Sequence, residues 1–287
     1  MNKKSDYKNE LKIFLNEIKK FNKEKNKPLK IKKNSKIKNL ALKNLKKILK
    51  KENYFIINLK TKIDKEIREL TDITANALGS KISQNKKGEK TITVTPNVKL
   101  IKNYGSRINN EIRYHQSNLG GSLHTDGPQL NQTPNILIMT CLNNSSKGGD
   151  SVLINGKDIY NYIKKDNPKI LKNLFKKFYF ERRGFTLNSN YIFKSQIFKF
   201  KKRKLEFRYL REYIDNAYKQ KNTTPSKIEK KALDYLDKCL RLKSLQKKYK
   251  LSKGEMVVIN NKIMAHGRTT FSVNKGNQRK IIRIWLK

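Results

Sequence analysis

The stretch Gly120-Gly121-Ser122-Leu123-His124-Thr125-Asp126-Gly127-Pro128 carries a His-x-Asp pair just before a Gly-Pro stop. On an extended strand, residues i and i+2 face the same side. His124 and Asp126 therefore present an imidazole and a carboxylate to one point, and the Gly-Pro that follows leaves that point at a rim. Alone the pair is a weak signal, because a hydrogen-bonded loop histidine produces the same pattern. The chain has only three histidines, His115, His124 and His266, and two of them sit in unusual local settings.

The second setting is Asn260-Asn261-Lys262-Ile263-Met264-Ala265-His266-Gly267-Arg268, with apolar segments before His266 and a glycine after it. If this late strand packs beside the early one, His266 completes a set of two histidines and one carboxylate. Such a set takes one face of an octahedral metal ion and leaves the opposite positions open, the arrangement that suits non-haem Fe(II) oxygenases. Near the C-terminus, Arg279 and Arg283 lie four apart on the strand-like run Lys280-Ile281-Ile282-Arg283-Ile284-Trp285-Leu286. Even spacing puts both guanidiniums on one face. A buried arginine is costly unless it meets an anion, and its planar fork suits a carboxylate. Two arginines reaching an iron site would suit a dicarboxylate co-substrate; the plainer reading is two solvent-facing charges at the end of a very basic chain.

Four stretches, LHTDGP (123–128), PNILIMTCLNNSSKGGDSVLINGKDIY (134–160), NNKIMAHGRTTF (260–271) and QRKIIRIWLK (278–287), match as a set in order and spacing. Together they resemble the Fe(II)/2-oxoglutarate-dependent dioxygenases of the TauD/TfdA family, which includes taurine and γ-butyrobetaine dioxygenases. The resemblance implies a mainly β fold with flanking helices (α+β) on a double-stranded β-helix, a jelly-roll, cupin-like core. It implies His124, Asp126 and His266 as iron ligands, with no catalytic side chain beyond them. Ser151 falls where the family usually has a threonine bonded to 2-oxoglutarate. Arg279 would pair with the far carboxylate of 2-oxoglutarate and Arg283 would approach the one nearer the metal, a division the sequence leaves open. The implied cofactors and co-substrates are Fe(II), 2-oxoglutarate and O2, with ascorbate as the reductant in vitro. The implied reaction hydroxylates a small amino-acid-like or betaine-like molecule and releases succinate and CO2. Substrate contacts are expected from Tyr104, Asn118, Tyr191, Tyr209 and Arg211, against a plainer reading as packed aromatics and solvated charge.

Outside these motifs, residues 1–52 read as a basic helical extension with a linker at Asn26 to Ser35, and residues 53–287 as the oxygenase domain with a mixed insert at about 160–250. Strands are expected at Tyr54 to Leu59, Thr91 to Thr95, Ile112 to Tyr114, Asn135 to Leu142, Ser151 to Ile154, Phe178 to Arg183, Tyr191 to Phe200, Lys204 to Tyr209, Glu255 to Asn260, Ile263 to His266 and Lys280 to Leu286. Helices are expected at Ile63 to Leu78, within Gly156 to Lys176, at Glu212 to Lys219 and at Ser226 to Lys243.

The 287 residues carry 68 basic and 23 acidic side chains, a net charge of +45. That balance admits a polyanion partner. It also follows from codon bias, since the excess is mostly lysine and is spread along the whole chain. The alternative to an enzyme is accordingly a basic nucleic-acid- or membrane-surface-binding protein on an oxygenase scaffold, or an oxygenase acting on a nucleic acid or protein. The expectation here is a small-molecule substrate, no specific nucleic acid, no membrane span and a cytoplasmic location, with oligomerisation left open. No apolar run approaches the roughly 20 residues of a membrane helix, no signal peptide is read at the start, and Cys141 and Cys239 form no metal or disulfide framework.

Overall fold

Alternating and continuous apolar runs account for most of the strands. The computed structural model describes residues 29–30, 49–85, 87–97, 117–182, 192–273 and 278–287. The described strands are β1 (Leu29–Lys30), β2 (Tyr54–Asn58), β3 (Thr91–Val94), β4 (Gly121–His124), β5 (Ile136–Asn143), β6 (Ser151–Asn155), β7 (Lys177–Glu181), β8 (Ile192–Gln196), β9 (Phe198–Lys201), β10 (Lys204–Phe207), β11 (Gln246–Tyr249), β12 (Glu255–Asn260), β13 (Met264–Arg268) and β14 (Lys280–Leu286). The helices are α1 (Asp64–Leu78), α2 (Gly156–Asp166), α3 (Pro168–Leu174), α4 (Arg211–Gln220) and α5 (Lys227–Leu240).

A six-stranded sheet runs β1-β2-β12-β5-β14-β3 and a four-stranded sheet runs β11-β6-β13-β4. Every pairing in them is antiparallel except β1 with β2. The centre of the large sheet explains the run Ile136-Leu137-Ile138-Met139-Thr140-Cys141-Leu142. Met139 pairs across from Arg283 and Leu137 from Trp285, on one face; Ile138 and Thr140 pair with Ile284 and Ile282 on the other. Helix α1 covers the second face, where the Thr71 and Thr140 hydroxyls meet at 3.1 Å. A strand covered on both faces has no need of polar alternation.

Between β6 and β11 the chain forms helices α2 to α5 and the hairpins β7–β8 and β9–β10. Helix α5 packs on α2 and α3, and α4 on β7, while the rings of Tyr160, Phe175, Phe198, Phe207 and Tyr209 meet at centroid distances of 4.9 to 6.2 Å. Helix α5 opens on a capping box between Ser226 and Glu229. This segment meets the end of β4 through Tyr209, whose carbonyl accepts the Thr125 N–H at 2.9 Å and whose own N–H donates to Thr125 Oγ1 at 3.1 Å.

Three local readings need correction. Leu29–Lys30, inside the expected linker, pairs with Ile57 and Asn58. The expected strand at Tyr191 to Phe200 breaks at Ile197 into β8 and β9, because each half belongs to a different hairpin. Gln246–Tyr249 forms an edge strand on β6, held by backbone pairing and not by apolar alternation. The expected helices before residue 49 and the strand at 112–114 lie outside the described residues. Among the described residues no helix is long and apolar enough to cross a membrane.

Candidate metal centre

Strand β13 lies beside β4 in a register that sets His266 directly opposite His124. Their ring centroids are 4.5 Å apart. Asp126 follows on the turn beyond β4. Gly127 makes that turn at φ +67°, and a Cβ there would stand 2.5 Å from Pro134 Cδ, so both backbone and space require glycine. Asn261, fully buried, brackets the aspartate's backbone. Its Oδ1 accepts the Asp126 N–H at 2.8 Å, and its Nδ2 donates to the carbonyls of Asp126 at 2.9 Å and Pro134 at 3.1 Å.

The three side chains converge. Asp126 Oδ1 lies 3.5 Å from His124 Nε2 and 3.7 Å from His266 Nε2. All three are buried, and one donor atom from each lies within 4.8 Å of the others. The second carboxylate oxygen is engaged elsewhere. Trp285 Nε1 donates to Asp126 Oδ2 at 2.7 Å, and Arg283 Nη1 stands 3.6 Å from it. His124 Nδ1 sits 2.6 Å from the Ser122 carbonyl, which can only accept, so Nδ1 carries the proton and Nε2 keeps its lone pair.

Burial alone would raise the Asp126 pKa, but the Arg283 guanidinium first, with the nearby imidazoles, outweighs it and holds the carboxyl well below its usual range. Burial, then His124, push His266 down to about 3, against the opposing pull of Asp126. His266 Nδ1 is buried with no hydrogen-bond partner among the described residues. An ionised carboxylate and a neutral, desolvated imidazole on a closed face, with the His124 lone pair directed to the same point, are a donor set that fits a divalent metal ion.

Beside this face lies a second polar patch. Gly148 and Gly149, both at positive φ, carry the chain over Thr270 and Phe271 into Ser151, the first residue of β6. A Cβ on Gly148 would fall 1.9 Å from the Thr270 carbonyl oxygen. Arg279, buried, lays its stem against Gly149, and its guanidinium is 5.7 Å from the Phe271 ring. Arg268, which pairs with Ser151 across the sheet, lies 5.3 Å from the same ring. Arg279 and Arg283 therefore take different stations, the first at the glycine turn and the second against Asp126 and Gln84, whose Oε1 accepts from Arg283 Nε at 2.8 Å.

Of the expected substrate contacts, Tyr209 and Arg211 are committed elsewhere. The Tyr209 hydroxyl donates to Asp237 Oδ1 at 2.5 Å, and Arg211 binds Asp215, Asp234 and Asp237 at 2.7 to 2.9 Å. Asn118 ties the approach to β4 onto Phe271, accepting its N–H at 3.2 Å and donating to its carbonyl at 3.3 Å. Tyr104 and Tyr191 lie outside the described residues. Asn261, Trp285 and Gln84 escaped the sequence reading. The one usable signal was that Trp285 is the chain's single tryptophan, two residues beyond Arg283 on the same strand face.

The family described as "Taurine catabolism dioxygenase TauD, TfdA family" matches residues 68–285, most of the chain, and the chain belongs to that family. The FR-33289 synthase of Streptomyces rubellomurinus (strain ATCC 31215) is 24% identical over 217 residues, 73% of this chain; the match spans about 60% of that relative's length. The γ-butyrobetaine dioxygenase of Homo sapiens is 32% identical over 65 residues, 23% of this chain and 16% of the relative. Among solved structures, an asparagine oxygenase in complex with Fe(II), 2S,3S-3-hydroxyasparagine and succinate aligns at a TM-score of 0.63 with 12% identity, covering 99% of this chain and 92% of the other. The non-heme iron oxygenase OrfP in complex with Fe and alpha-ketoglutaric acid aligns at 0.62 with 12% identity, covering 88% and 80%. These structural likenesses speak to the fold.

Proposed function

We propose that this chain is an Fe(II)- and 2-oxoglutarate-dependent oxygenase that hydroxylates a small amino-acid-like or betaine-like molecule. The observation that carries the reading is the buried convergence of His124, Asp126 and His266 in a chain of this family. The two facing sheets are then the halves of a jelly-roll core, residues 53–287 form the oxygenase domain with its insert at about 160–250, and residues 1–52 form a basic extension. The named ligands of the structural relatives, iron with 2-oxoglutarate or succinate and an amino acid, support this choice over a polyanion-binding role. With its substrates small and its two cysteines buried and free, we assign the protein to the cytoplasm.

His124 Nε2, Asp126 Oδ1 and His266 Nε2 would hold the iron, while Ser151, Arg279 and Arg283 would face 2-oxoglutarate. When bound, iron and 2-oxoglutarate supply O2 activation coupled to decarboxylation, with succinate, CO2 and a hydroxylated product as the outcome. The chain's own residues prepare that chemistry. Trp285 and Arg283 occupy one oxygen of Asp126 and turn the other toward the imidazoles. Ser122 fixes the tautomer of His124. Asn261 fixes the aspartate's backbone, and burial keeps water from the ligand face. Arg279, buried beside Phe271, supplies a desolvated cation that a carboxylate would pair with.

Purified protein given Fe(II), ascorbate and 2-oxoglutarate is expected to form succinate even without substrate. His124→Ala and Asp126→Ala are expected to abolish it. Equal background from wild type and both variants would overturn the reading.

A further inference from the structure

Glu212 is the second residue of α4, and its Oε1 accepts a hydrogen bond from the Ser122 hydroxyl. The Ser122 carbonyl in turn holds the His124 ring. Glu212 is therefore coupled to the metal face through one residue, and at the rise of an extended strand Ser122 lies roughly 7 Å from His124.

The other carboxylate oxygen, Oε2, is buried and has no hydrogen-bond partner among the described residues. Leaving a buried carboxylate oxygen bare is costly. It is also odd in a chain with 68 lysines and arginines. The adjacent Arg211 could have served, but it turns to Asp215, Asp234 and Asp237 instead. Among the described residues no cation of this chain takes Oε2.

Resting on the oxygenase reading above, we infer that Glu212 sets substrate specificity by receiving a cationic nitrogen that bears N–H groups, a primary ammonium or a guanidinium. The chemistry separates the two substrate classes the sequence left together. A bare carboxylate oxygen accepts hydrogen bonds, and a trimethylammonium group has none to donate, whereas a protonated amine gives a charge-assisted bond. The quaternary alternative would call for an aromatic cage, and the described residues that meet here are an acid and a serine.

The test is calorimetric titration of the Mn(II)- and 2-oxoglutarate-loaded protein with L-lysine, L-arginine and γ-butyrobetaine. Binding of L-lysine or L-arginine in preference to γ-butyrobetaine is expected, with at least a tenfold loss in Glu212→Gln. That change keeps an acceptor for Ser122 but places an N–H₂ donor or a neutral oxygen where the anion stood. Glu212→Asp is expected to fall between the two, and thermal unfolding of each variant establishes that it folds. Equal binding by wild type and Glu212→Gln, tighter binding of γ-butyrobetaine, or no binding of either N–H cation would overturn the inference. Succinate release by the wild type without any amine reports separately on the oxygenase reading, so the two can fail independently.

Discussion

Trp285 donates its indole N–H to Oδ2 of Asp126, 2.7 Å away and 159 residues apart in sequence. The bond divides the labour of one carboxylate. With Oδ2 held by the indole and approached by Arg283, Oδ1 is the oxygen left to face both imidazoles. It also ties the last strand of the large sheet to the turn that leaves the small one, so one bond links the two sheets at the point where His124, Asp126 and His266 converge.

Because Trp285 is the chain's only tryptophan, its emission reports directly on the site. Adding Co(II) to metal-free protein is expected to quench it with a saturable dependence, and Asp126→Ala is expected to remove that response. Trp285→Phe keeps an aromatic ring, though a smaller one, and loses the N–H. A hydrogen bond to a charged group contributes about 1.5–3 kcal/mol, so Mn(II) affinity measured by calorimetry is expected to fall about tenfold or more. Unchanged affinity would mean that the indole packs against the aspartate without orienting it.

The ligand set also predicts how the metal-free protein responds to acid. His266 is pushed down to about 3 when folded, from an ordinary value near 6.5. Above pH 6.5 the imidazole is neutral in both states. Between about 6.5 and 3 the unfolded chain binds the proton and the folded chain does not, so stability falls as pH falls through that window. Asp126, held low when folded, extends the loss further into acid. Urea midpoints of metal-free protein at pH 7 and pH 5 should show the drop. His266→Asn should flatten it in this range. A midpoint that rises toward pH 5 would contradict the assignment.

What was legible in the sequence depended on whether local pattern and final contact coincide. Glu255–Asn260 and Lys280–Leu286 emerge with the boundaries their apolar runs indicate, because both are inner strands of the large sheet. His124, Asp126 and His266 stood out because histidine is scarce here and each sits beside a glycine turn or an apolar strand. Asn261 was not legible, since its value lies in bonds to residues more than 120 positions away. Gln246–Tyr249 shows no alternation, being an edge strand recruited by its neighbour's backbone. Even spacing puts Arg279 and Arg283 on one face, but Arg279 precedes β14 and the register shifts between Lys280 and Ile281.

That shift gives the two arginines separable phenotypes. Arg279 stands by Gly149 and the Ser151 turn, whereas Arg283 Nη1 stands 3.6 Å from Asp126 Oδ2. Arg279→Ala is expected to raise the dissociation constant for 2-oxoglutarate by about 10- to 100-fold, the loss of a buried charge-assisted pair, and to leave Mn(II) affinity near wild type. Arg283→Ala is expected to weaken Mn(II) as well, through Asp126. Calorimetry with each ligand separates them, and a pair of variants with the same profile would mean that both arginines serve one group.

Tyr209 offers the converse case, a residue the sequence reading placed at the substrate and the structure binds into the scaffold. Its ring is buried, its hydroxyl reaches Asp237, and that carboxylate also takes Arg211 at 2.7 Å. Burial first, then Asp237, drive the phenol far above its ordinary pKa, so it acts as a donor across the working range. Tyr209→Phe removes one bond and leaves Asp237 paired with Arg211. The expected cost is about 1–2 kcal/mol, read as a lower urea midpoint, with Mn(II) and 2-oxoglutarate affinities unchanged because the backbone pairing with Thr125 survives. A raised substrate KM at unchanged stability would instead return the phenol to the site.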